Sequence, residues 1–359
     1  MTTKTREAVD HLPGYIMAAQ DIPGVERIIQ LGQNELALEP SPNAIEAIHQ
    51  TASALSRYPD IAHVKLRQAI ADVHGLNFEQ IACGAGSLEL LGLLANIYCE
   101  DGVDVVVSEF GYKFFQVQCT IAGANIIIVP EPDLKADIDA IIAAVTAQTR
   151  IVFIVAPNNP TGTSLASGEL KRLRNSLADE VLLVVDGAYA EFADNTKYES
   201  GFDLADAGEN IVVMRTFSKA YGLAGMRVGW CYGPNDVVDA IAKVRSPNSI
   251  TTQSLAAAEA AMRDQTHLNK VTHEISELRE SFRQKMQDIG LQALPSDGNF
   301  VLVRFANEDQ AKAVYASLIE VGIIIRPMGS YDLTDCLRVT IGTGEEMAIL
   351  QDRMMALLG

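Results

Sequence analysis

The segment 214–229 places one lysine, Lys219, directly after a short apolar run. Hydroxyl groups precede the lysine at Thr216 and Ser218, and Arg227 follows it. A lysine amine becomes a nucleophile when its site lowers the amine pKa or holds it as an imine. The hydroxyls and the guanidinium supply what a phosphate needs, so the segment favours a cofactor with both an aldehyde and a phosphate, such as pyridoxal phosphate. Taken alone, Lys219 is equally compatible with an exposed surface lysine.

Other polar residues follow further apolar runs. Gly84–Ser87 precedes an apolar helical pattern, so its N–H groups and the Ser87 hydroxyl are predicted to bind an anion at a helix N-terminus. An ordinary strand-to-helix turn is the alternative for this motif. Asp186 is predicted to pair with a pyridinium nitrogen, because a buried acid needs a cation; a helix N-cap is the alternative. Asn159 and Tyr189 are candidates to hydrogen-bond a phenolic ring oxygen, and Tyr112 is a candidate to stack on the ring.

Residues 65–230 alternate helical patterns with short runs rich in Val and Ile. Runs that are apolar throughout are typical of strands covered on both faces, so we predict a mostly parallel α/β sheet with crossover helices. Ligands of such sheets bind beyond the carboxyl ends of the strands, where the polar clusters are expected to meet. The predicted strands are Val103–Ser108, Asn125–Val129, Ile151–Ala156, Val181–Asp186 and Ile211–Arg215.

After Val244 the pattern changes and predicts a smaller α+β domain. Its predicted elements are a long helical pattern over 251–290, strands at 299–305, 323–326 and 336–341, and a helix at 310–321. Pro-Gly pairs near the N-terminus predict an arm and a short helix. The expected division is 1–35 as the N-terminal arm and part of the small domain, 36–244 as the large cofactor-binding domain, and 245–359 as the small C-terminal domain.

Composition and charge limit the partners of this chain. It has 359 residues, 48% of them hydrophobic and 21% charged, which is typical of a globular protein with more than one domain. The net charge of −18 repels nucleic acid and anionic lipid, so neither is an expected partner. The sequence has no signal-peptide pattern and no run that could span a bilayer. The five cysteines are in apolar contexts, which favours reduced thiols and a cytoplasmic location, and no metal-ligand spacing is present.

The motifs and their order resemble the fold type I pyridoxal-phosphate aminotransferases, and more closely the histidinol-phosphate aminotransferase group. The resemblance covers nearly the whole chain. It implies a large domain with a mostly parallel central sheet flanked by helices, a smaller α+β domain, and pyridoxal 5'-phosphate as the cofactor. The matching motifs are Leu12–Tyr15, Leu31-x-x-Asn34-Glu35, Arg57-Tyr58-Pro59, Asn158–Gly162, Asp186-x-x-Tyr189, Ser218-Lys219, Arg227 and Leu337–Gly342.

The resemblance also implies a role for each matching residue. Lys219 would be the Schiff-base lysine, and Asp186 and Tyr189 would complete the catalytic group. Tyr58 would cross a homodimer interface to the neighbouring cofactor's phosphate, and Arg338 would bind the anionic group of the substrate. The other cofactor-binding residues would be Ala85, Gly86, Ser87, Tyr112, Asn159, Thr216, Ser218 and Arg227, and the other substrate-binding residues Tyr15, Asn34 and Arg326.

Three positions depart from the family pattern and leave the substrate open. Gly187 stands where the family usually has Glu, Leu88 where an acidic residue is common, and Asn248 where relatives often carry an aromatic residue. The implied reaction moves an amino group from histidinol phosphate or an aromatic-type amino acid to a 2-oxo acid such as 2-oxoglutarate, with ping-pong kinetics. The alternatives are an amino-acid decarboxylase of the phosphothreonine decarboxylase type and a non-catalytic cofactor-binding regulator.

Overall fold

The structure is a computed structural model that describes residues 3–10, 12, 22–25, 27–194 and 196–358. The strands are β1 (Ile29–Gln30), β2 (Ile81–Gly84), β3 (Asp104–Ser108), β4 (Asn125–Val129), β5 (Thr149–Val155), β6 (Leu182–Asp186), β7 (Ile211–Thr216), β8 (Gly229–Tyr232), β9 (Gln292–Ala293), β10 (Phe300–Arg304), β11 (Ile323–Ile324), β12 (Arg326–Met328) and β13 (Leu333–Thr340). The helices are α1 (Glu7–Asp10), α2 (Pro42–Thr51), α3 (Val64–His74), α4 (Ser87–Tyr98), α5 (Lys113–Ile121), α6 (Ile138–Ala144), α7 (Glu169–Asn175), α8 (Phe202–Asp206), α9 (Asn235–Val244), α10 (Thr252–Arg263), α11 (Gln265–Asp288), α12 (Glu308–Glu320) and α13 (Gly344–Leu358).

The central sheet has the strand order β2-β8-β7-β6-β5-β3-β4. Strands β3 to β7 pair in parallel, and β8 pairs antiparallel with both β7 and β2. The parallel strands β6 and β7 are buried along their whole length, as expected for strands covered by helices on both faces. The predicted mostly parallel sheet flanked by helices is confirmed.

A second, antiparallel sheet has the order β12-β13-β10-β9. The short strand β1 pairs in parallel with β11, and the segment after β1 continues along β13, where the Thr340 N–H donates to the Leu31 carbonyl at 2.9 Å. Residues near 30 are thus held against the C-terminal part of the chain. This arrangement brings the Asn34 segment and β13 to the same place.

The structure refines several sequence-based elements. The helical pattern predicted over 251–290 is two helices, because Asp264 ends α10 and its side chain caps α11 by accepting the His267 N–H. The strand predicted at 323–326 is split between β11 and β12, which belong to different sheets. Helix α10 belongs to the predicted small domain, but it packs against α2 and α3 of the predicted large domain. The division into domains therefore stays a prediction.

Strands β2 and β8, which pair with each other at one edge of the central sheet, are not among the predicted strands. All five cysteines are buried free thiols, as their apolar contexts indicated. Within the described ranges, no helix combines the length and the apolar character needed to cross a bilayer.

Candidate active site

Polar residues collect where the strands of the central sheet end. β6 ends at Asp186, and Tyr189 follows before a short 3-10 turn. β7 ends at Thr216, directly before Ser218 and Lys219. Strand β2 runs parallel to β7 because both are antiparallel to β8, so its end lies at the same edge of the sheet. Beyond the ends of β2, β3 and β5 lie Ala85–Ser87, Tyr112 and Asn159.

The amine of Lys219 is half-buried and donates to two backbone carbonyls. Its Nζ lies 3.0 Å from the Asn34 oxygen and 3.3 Å from the Gln33 oxygen. Burial, together with the guanidinium groups of Arg338 and Arg227, lowers the pKa of the amine to about 8, against the opposing effect of nearby carboxylates. Such an amine is more often neutral near physiological pH than an ordinary lysine, as a nucleophile or a base requires.

Asp186 is a buried carboxylate, 5% exposed, whose Oδ1 accepts the Ala188 N–H at 3.0 Å. Burial raises the pKa of this carboxyl from 3.8 to about 6, although Arg215 and Lys219 act to lower it. Because the folded pKa is raised, the protein loses stability as the pH rises from 3.8 through about 6 and Asp186 becomes ionised in its buried site. A cation bound against Asp186 would recover that stability.

Asn34 connects Tyr189 to the Lys219 amine. The Asn34 side-chain amide donates to the Tyr189 hydroxyl at 2.9 Å, while the Asn34 carbonyl accepts both Lys219 Nζ and the Asn299 amide, the latter at 3.2 Å. Asn34 adopts a left-handed backbone (φ 54°), which asparagine tolerates better than most residues. Its N–H donates to the Thr340 hydroxyl, which in turn donates to Asn34 Oδ1. The network fixes the phenol and the amine relative to each other.

Arg227 and the start of α4 form a cationic cradle. Arg227 Nη1 donates to the Ser218 hydroxyl at 3.2 Å and to the Ala224 carbonyl at 3.0 Å. Gly86 precedes α4 with φ +81°, and a Cβ atom there would lie 2.6 Å from Arg227 Nη2. Glycine is therefore required for the guanidinium to approach the helix start. Helix α4 has no side-chain N-cap, so its first-turn N–H groups can bind an anion.

The Ala85 amide is already engaged within the protein. Its N–H donates to Glu89 Oε2 at 2.6 Å, and the Ser249 hydroxyl donates to the same oxygen at 3.0 Å. A phosphate would compete with this carboxylate for the Ala85 N–H. A glutamate in the first turn of a helix often accepts a preceding N–H, so the position of Glu89 near the start of α4 is a sequence signal for this bond.

Arg338 lies beside the residues at the end of β5. Its Nη1 donates to Asn159 Oδ1, and its Nη2 donates to the Gly32 carbonyl at 2.9 Å. The guanidinium carbon also lies 5.5 Å from the centre of the Phe300 ring. Arg326 is the cross-strand partner of Arg338 in the β12–β13 pair, so the two side chains share one face of that sheet.

Three other predicted site tyrosines differ in their exposure, and one of them lies outside the described residues. Tyr58 is 86% exposed, in a surface segment with Leu55 (75%) and Ile61 (55%). Tyr112 is half-buried and immediately precedes α5, with its ring centroid 6.3 Å from that of Phe114. Tyr15 lies outside the described residues.

The structure adds residues that the sequence analysis did not single out. Asn299 and Thr340 bond to Asn34 from segments far apart in the chain, and the charge of Arg215 acts on Asp186. Asn299 precedes a strand, but nothing in its local sequence distinguishes it from a turn residue. The whole arrangement offers a weakly basic amine, a buried acid, a phenol and an anion cradle at one edge of the sheet.

Comparisons with known proteins agree with this geometry. Residues 26–354 match the family described as "Aminotransferase class I and II". The histidinol-phosphate aminotransferase of Paramagnetospirillum magneticum is 41% identical, with 99% of this chain and 98% of that protein covered. The enzyme of the same name from Rhodospirillum rubrum is 42% identical, with 98% and 96% covered.

Solved structures extend the comparison to the fold. The crystal structure of histidinol-phosphate aminotransferase from Sinorhizobium meliloti, in complex with pyridoxal-5'-phosphate, superposes with a TM-score of 0.91 and 30% identity, covering 100% of this chain and 98% of that one. A mutant aspartate aminotransferase from Thermus thermophilus shares the fold at 20% identity, with a TM-score of 0.85 and coverage of 99% and 100%. The sequence match and the shared fold together identify this chain as a member of the aminotransferase class I and II family.

Proposed function

We propose that the protein is a pyridoxal-phosphate-dependent aminotransferase that moves an amino group from histidinol phosphate or an aromatic-type amino acid to a 2-oxo acid such as 2-oxoglutarate. One observation carries this proposal. Lys219, whose amine pKa is lowered, lies at the same edge of the sheet as the buried acid Asp186 and the anion cradle. The relatives named histidinol-phosphate aminotransferase support the donor class.

The residues at the strand ends fit pyridoxal phosphate in chemical type. The cradle of Gly86, Ser218 and Arg227 would hold the phosphate, with Ser87 and Thr216 beside it. Asp186 would hold the ring nitrogen, whose protonated form would supply a cation in direct contact with this buried carboxylate. The Asn159 amide and the Tyr189 hydroxyl would bind the ring oxygen, and Tyr112 would cover a ring face.

Bound pyridoxal phosphate supplies an aldehyde that takes up amines and a ring that accepts electrons. Lys219 is the base that removes the proton from the donor α-carbon, and its amine, with a pKa of about 8, can also return that proton. Asp186 keeps a proton at the ring nitrogen by staying ionised. Asn34 orients the Tyr189 hydroxyl and the Lys219 amine, so that both face the same space.

The cross-strand pair of Arg326 and Arg338 supports an anionic donor. Like charges directly opposite each other in a sheet repel, and an anion bound at the pair reduces that repulsion. A donor that carries a carboxylate or a phosphate would supply that anion, and guanidinium groups bind either oxyanion with paired hydrogen bonds. The arginine pair therefore favours a donor that carries an anionic group, such as histidinol phosphate, over a donor that carries none.

A panel of amino donors tests the proposal. Histidinol phosphate, phenylalanine and tyrosine would each be assayed with 2-oxoglutarate, with formation of the keto product and of glutamate as the measurement. We expect transfer from at least one donor, with histidinol phosphate giving the highest kcat/KM. Robust activity with phenylalanine or tyrosine and none with histidinol phosphate would overturn the histidinol-phosphate assignment. Carbon dioxide release without a keto product would instead support the decarboxylase, which the family match and the named relatives do not favour.

The exposed segment around Tyr58 supports a homodimer in which Tyr58 completes the partner's site. Leu55, Tyr58, Ile61 and Val64 are all apolar or aromatic and are 75%, 86%, 55% and 48% exposed. A cluster of this kind on an otherwise acidic chain is typical of a protein interface.

Since the chain also keeps its thiols free and buried, we further propose a cytoplasmic location.

Two substitutions separate assembly from cofactor binding. Leu55→Asp is expected to convert the dimer into monomers in light scattering, because it places a charge in the interface. Tyr58→Phe should leave a dimer but weaken pyridoxal phosphate binding by about tenfold, because it removes one hydrogen bond to a charged group. Val321→Asp is the matched control, since Val321 is a 45% exposed valine that directly follows α12. A dimeric Leu55→Asp protein with full cofactor affinity would contradict the proposed interface.

A further inference from the structure

The guanidinium of Arg215 fills the space that a side chain at position 187 would occupy. Arg215 lies on β7 and is 3% exposed. A Cβ atom on Gly187 would lie 1.9 Å from Arg215 Nη1 and 3.0 Å from the Tyr198 hydroxyl. The 1.9 Å contact is far shorter than non-bonded atoms allow, so Arg215 can hold this position only because residue 187 is glycine. The guanidinium of Arg215 therefore occupies the space next to Asp186 that a side chain at position 187 would fill.

Arg215 lies against two aromatic rings, a backbone carbonyl and one counter-ion. The guanidinium carbon lies 4.9 Å from the centre of the Phe202 ring and 5.6 Å from that of Tyr198. Nη1 donates to the Met214 carbonyl at 3.1 Å. Nε lies 3.8 Å from Glu191 Oε1, which is longer than a hydrogen bond. Glu191 thus neutralises Arg215 only in part, and the remaining charge acts on the other groups nearby.

Asp186 is one of those groups. The charged and titratable groups that act on it or feel its charge are Arg215 from β7, Lys219 from the loop after β7, and Tyr189 and Tyr198 from the segment after β6. Arg215 and Lys219 hold the pKa of Asp186 below the value that burial alone would give. Lys219 loses its charge whenever it acts as a base or a nucleophile. Arg215 keeps its charge when Lys219 loses its own, so Arg215 is the cation that acts on Asp186 throughout.

The other titratable groups that feel Arg215 do not cancel its charge. They are His74, Glu191, Tyr198 and Tyr221. Burial, aided by Arg215, lowers the pKa of His74 to about 4, and burial raises the pKa of Glu191 to about 7. Near neutral pH the histidine and the phenols are uncharged, and Glu191 is only partly ionised.

We propose that Arg215 is a positioning residue that keeps Asp186 ionised, and that Gly187 is the feature that places it there. The inference rests on the proposed function, because an ionised Asp186 acts by holding a protonated ring nitrogen on the cofactor. It accounts for glycine at a position where a side chain would displace the cation. Arg215 itself need not contact the cofactor or the substrate.

NMR titration of Asp186 tests the proposal directly. The full-length protein, with carboxyl-labelled aspartate, would be titrated both without pyridoxal phosphate and after loading with it, and Asp186→Asn would assign the signal. Arg215→Met should raise the Asp186 pKa, so that the ratio of protonated to ionised carboxyl at neutral pH increases by about tenfold. Gly187→Ala should act in the same direction, because the added methyl group displaces the guanidinium.

Two further variants distinguish an electrostatic role from a structural one. Glu191→Gln should lower the Asp186 pKa, since it removes the anion that competes for Arg215. Arg215→Lys should restore most of the native titration, because it keeps the charge. An Asp186 titration that is unchanged in Arg215→Met, or that moves in the same direction in Glu191→Gln, would overturn the proposal. If Arg215→Met does not fold, an unchanged or raised Asp186 pKa in Glu191→Gln overturns it on its own.

The failure of the proposed function would look different. A chain that does not bind pyridoxal phosphate would still report the Asp186 titration in the unloaded protein. An Arg215 effect there without any cofactor binding would contradict the aminotransferase proposal and leave the electrostatic pairing standing. An absent Arg215 effect with normal cofactor binding would contradict only the inference.

Discussion

Lys219→Ala is expected to reduce amino transfer by on the order of 10²–10⁴-fold or more, because the substitution removes the amine that the proposal assigns as the base. Among the described residues, the Lys219 amine is the one that bonds to the Gln33 and Asn34 carbonyls beside Tyr189. The substitution removes both the covalent partner of the cofactor aldehyde and the base for the α-proton. Single-turnover rates with saturating donor, and the visible absorption of added pyridoxal phosphate, measure the two losses separately.

Lys171→Ala is the matched control for Lys219→Ala, because Lys171 is an exposed lysine on α7. It should retain the absorption and the rate of the unmodified protein. A small primary amine added to Lys219→Ala should recover part of the activity by acting as the base, while it should not accelerate the unmodified enzyme. Turnover by Lys219→Ala at a rate close to that of the control would refute the assignment of Lys219.

Arg338→Leu is expected to lower kcat/KM by on the order of 10²–10⁴-fold, because two hydrogen bonds to a substrate anion are lost at about 1.5–3 kcal/mol each. The guanidinium is oriented by Asn159 and by the Gly32 carbonyl, so its position does not depend on the substrate. The loss should fall on KM for both the donor and the acceptor, since both carry an anionic group. Steady-state kinetics on each substrate would measure it.

The pH profile offers a second measurement on Arg338→Leu. Arg338 lowers the pKa of Lys219, so removing its charge should raise that pKa and move the rising limb of the pH profile to higher pH. Arg326→Leu is the companion variant, because Arg326 pairs with Arg338 across the strands. It should weaken histidinol phosphate far more than phenylalanine. Equal losses for both donors would argue against the role of Arg326 in recognising a phosphate.

The sequence predicted the parallel strands well because each is an apolar run long enough to be buried on both faces. The run that ends at Asp186 and the run that ends at Thr216 lie where expected. Strands β2 and β8 escaped prediction because each has only four residues and includes a glycine, and the pairing between them joins segments distant in sequence. The division of 251–290 at Asp264 was missed because its capping bond leaves no break in the apolar pattern.

The candidate site shows the same limit at the level of single residues. Lys219 and Asp186 could be predicted from where they stand relative to apolar runs, and their roles remain proposals. The role of Asn34 could not be deduced in detail, because its bonds to Tyr189 and Thr340 join segments separated by 155 and 306 residues. The Arg215 position depends on an absent side chain at Gly187, which only the packed structure reveals.

The carbonyl of Asn34 has a mechanical consequence. It belongs to a segment that follows β1, and Leu31 in that segment is tied to Ile324 and Thr340 through backbone bonds of 2.7 and 2.9 Å. The same carbonyl accepts the Lys219 amine, which comes from the central sheet. Any sliding of one sheet relative to the other therefore stretches a bond to the reactive nitrogen. The pKa of the Lys219 amine therefore depends on how the Asn34 segment is positioned relative to the central sheet.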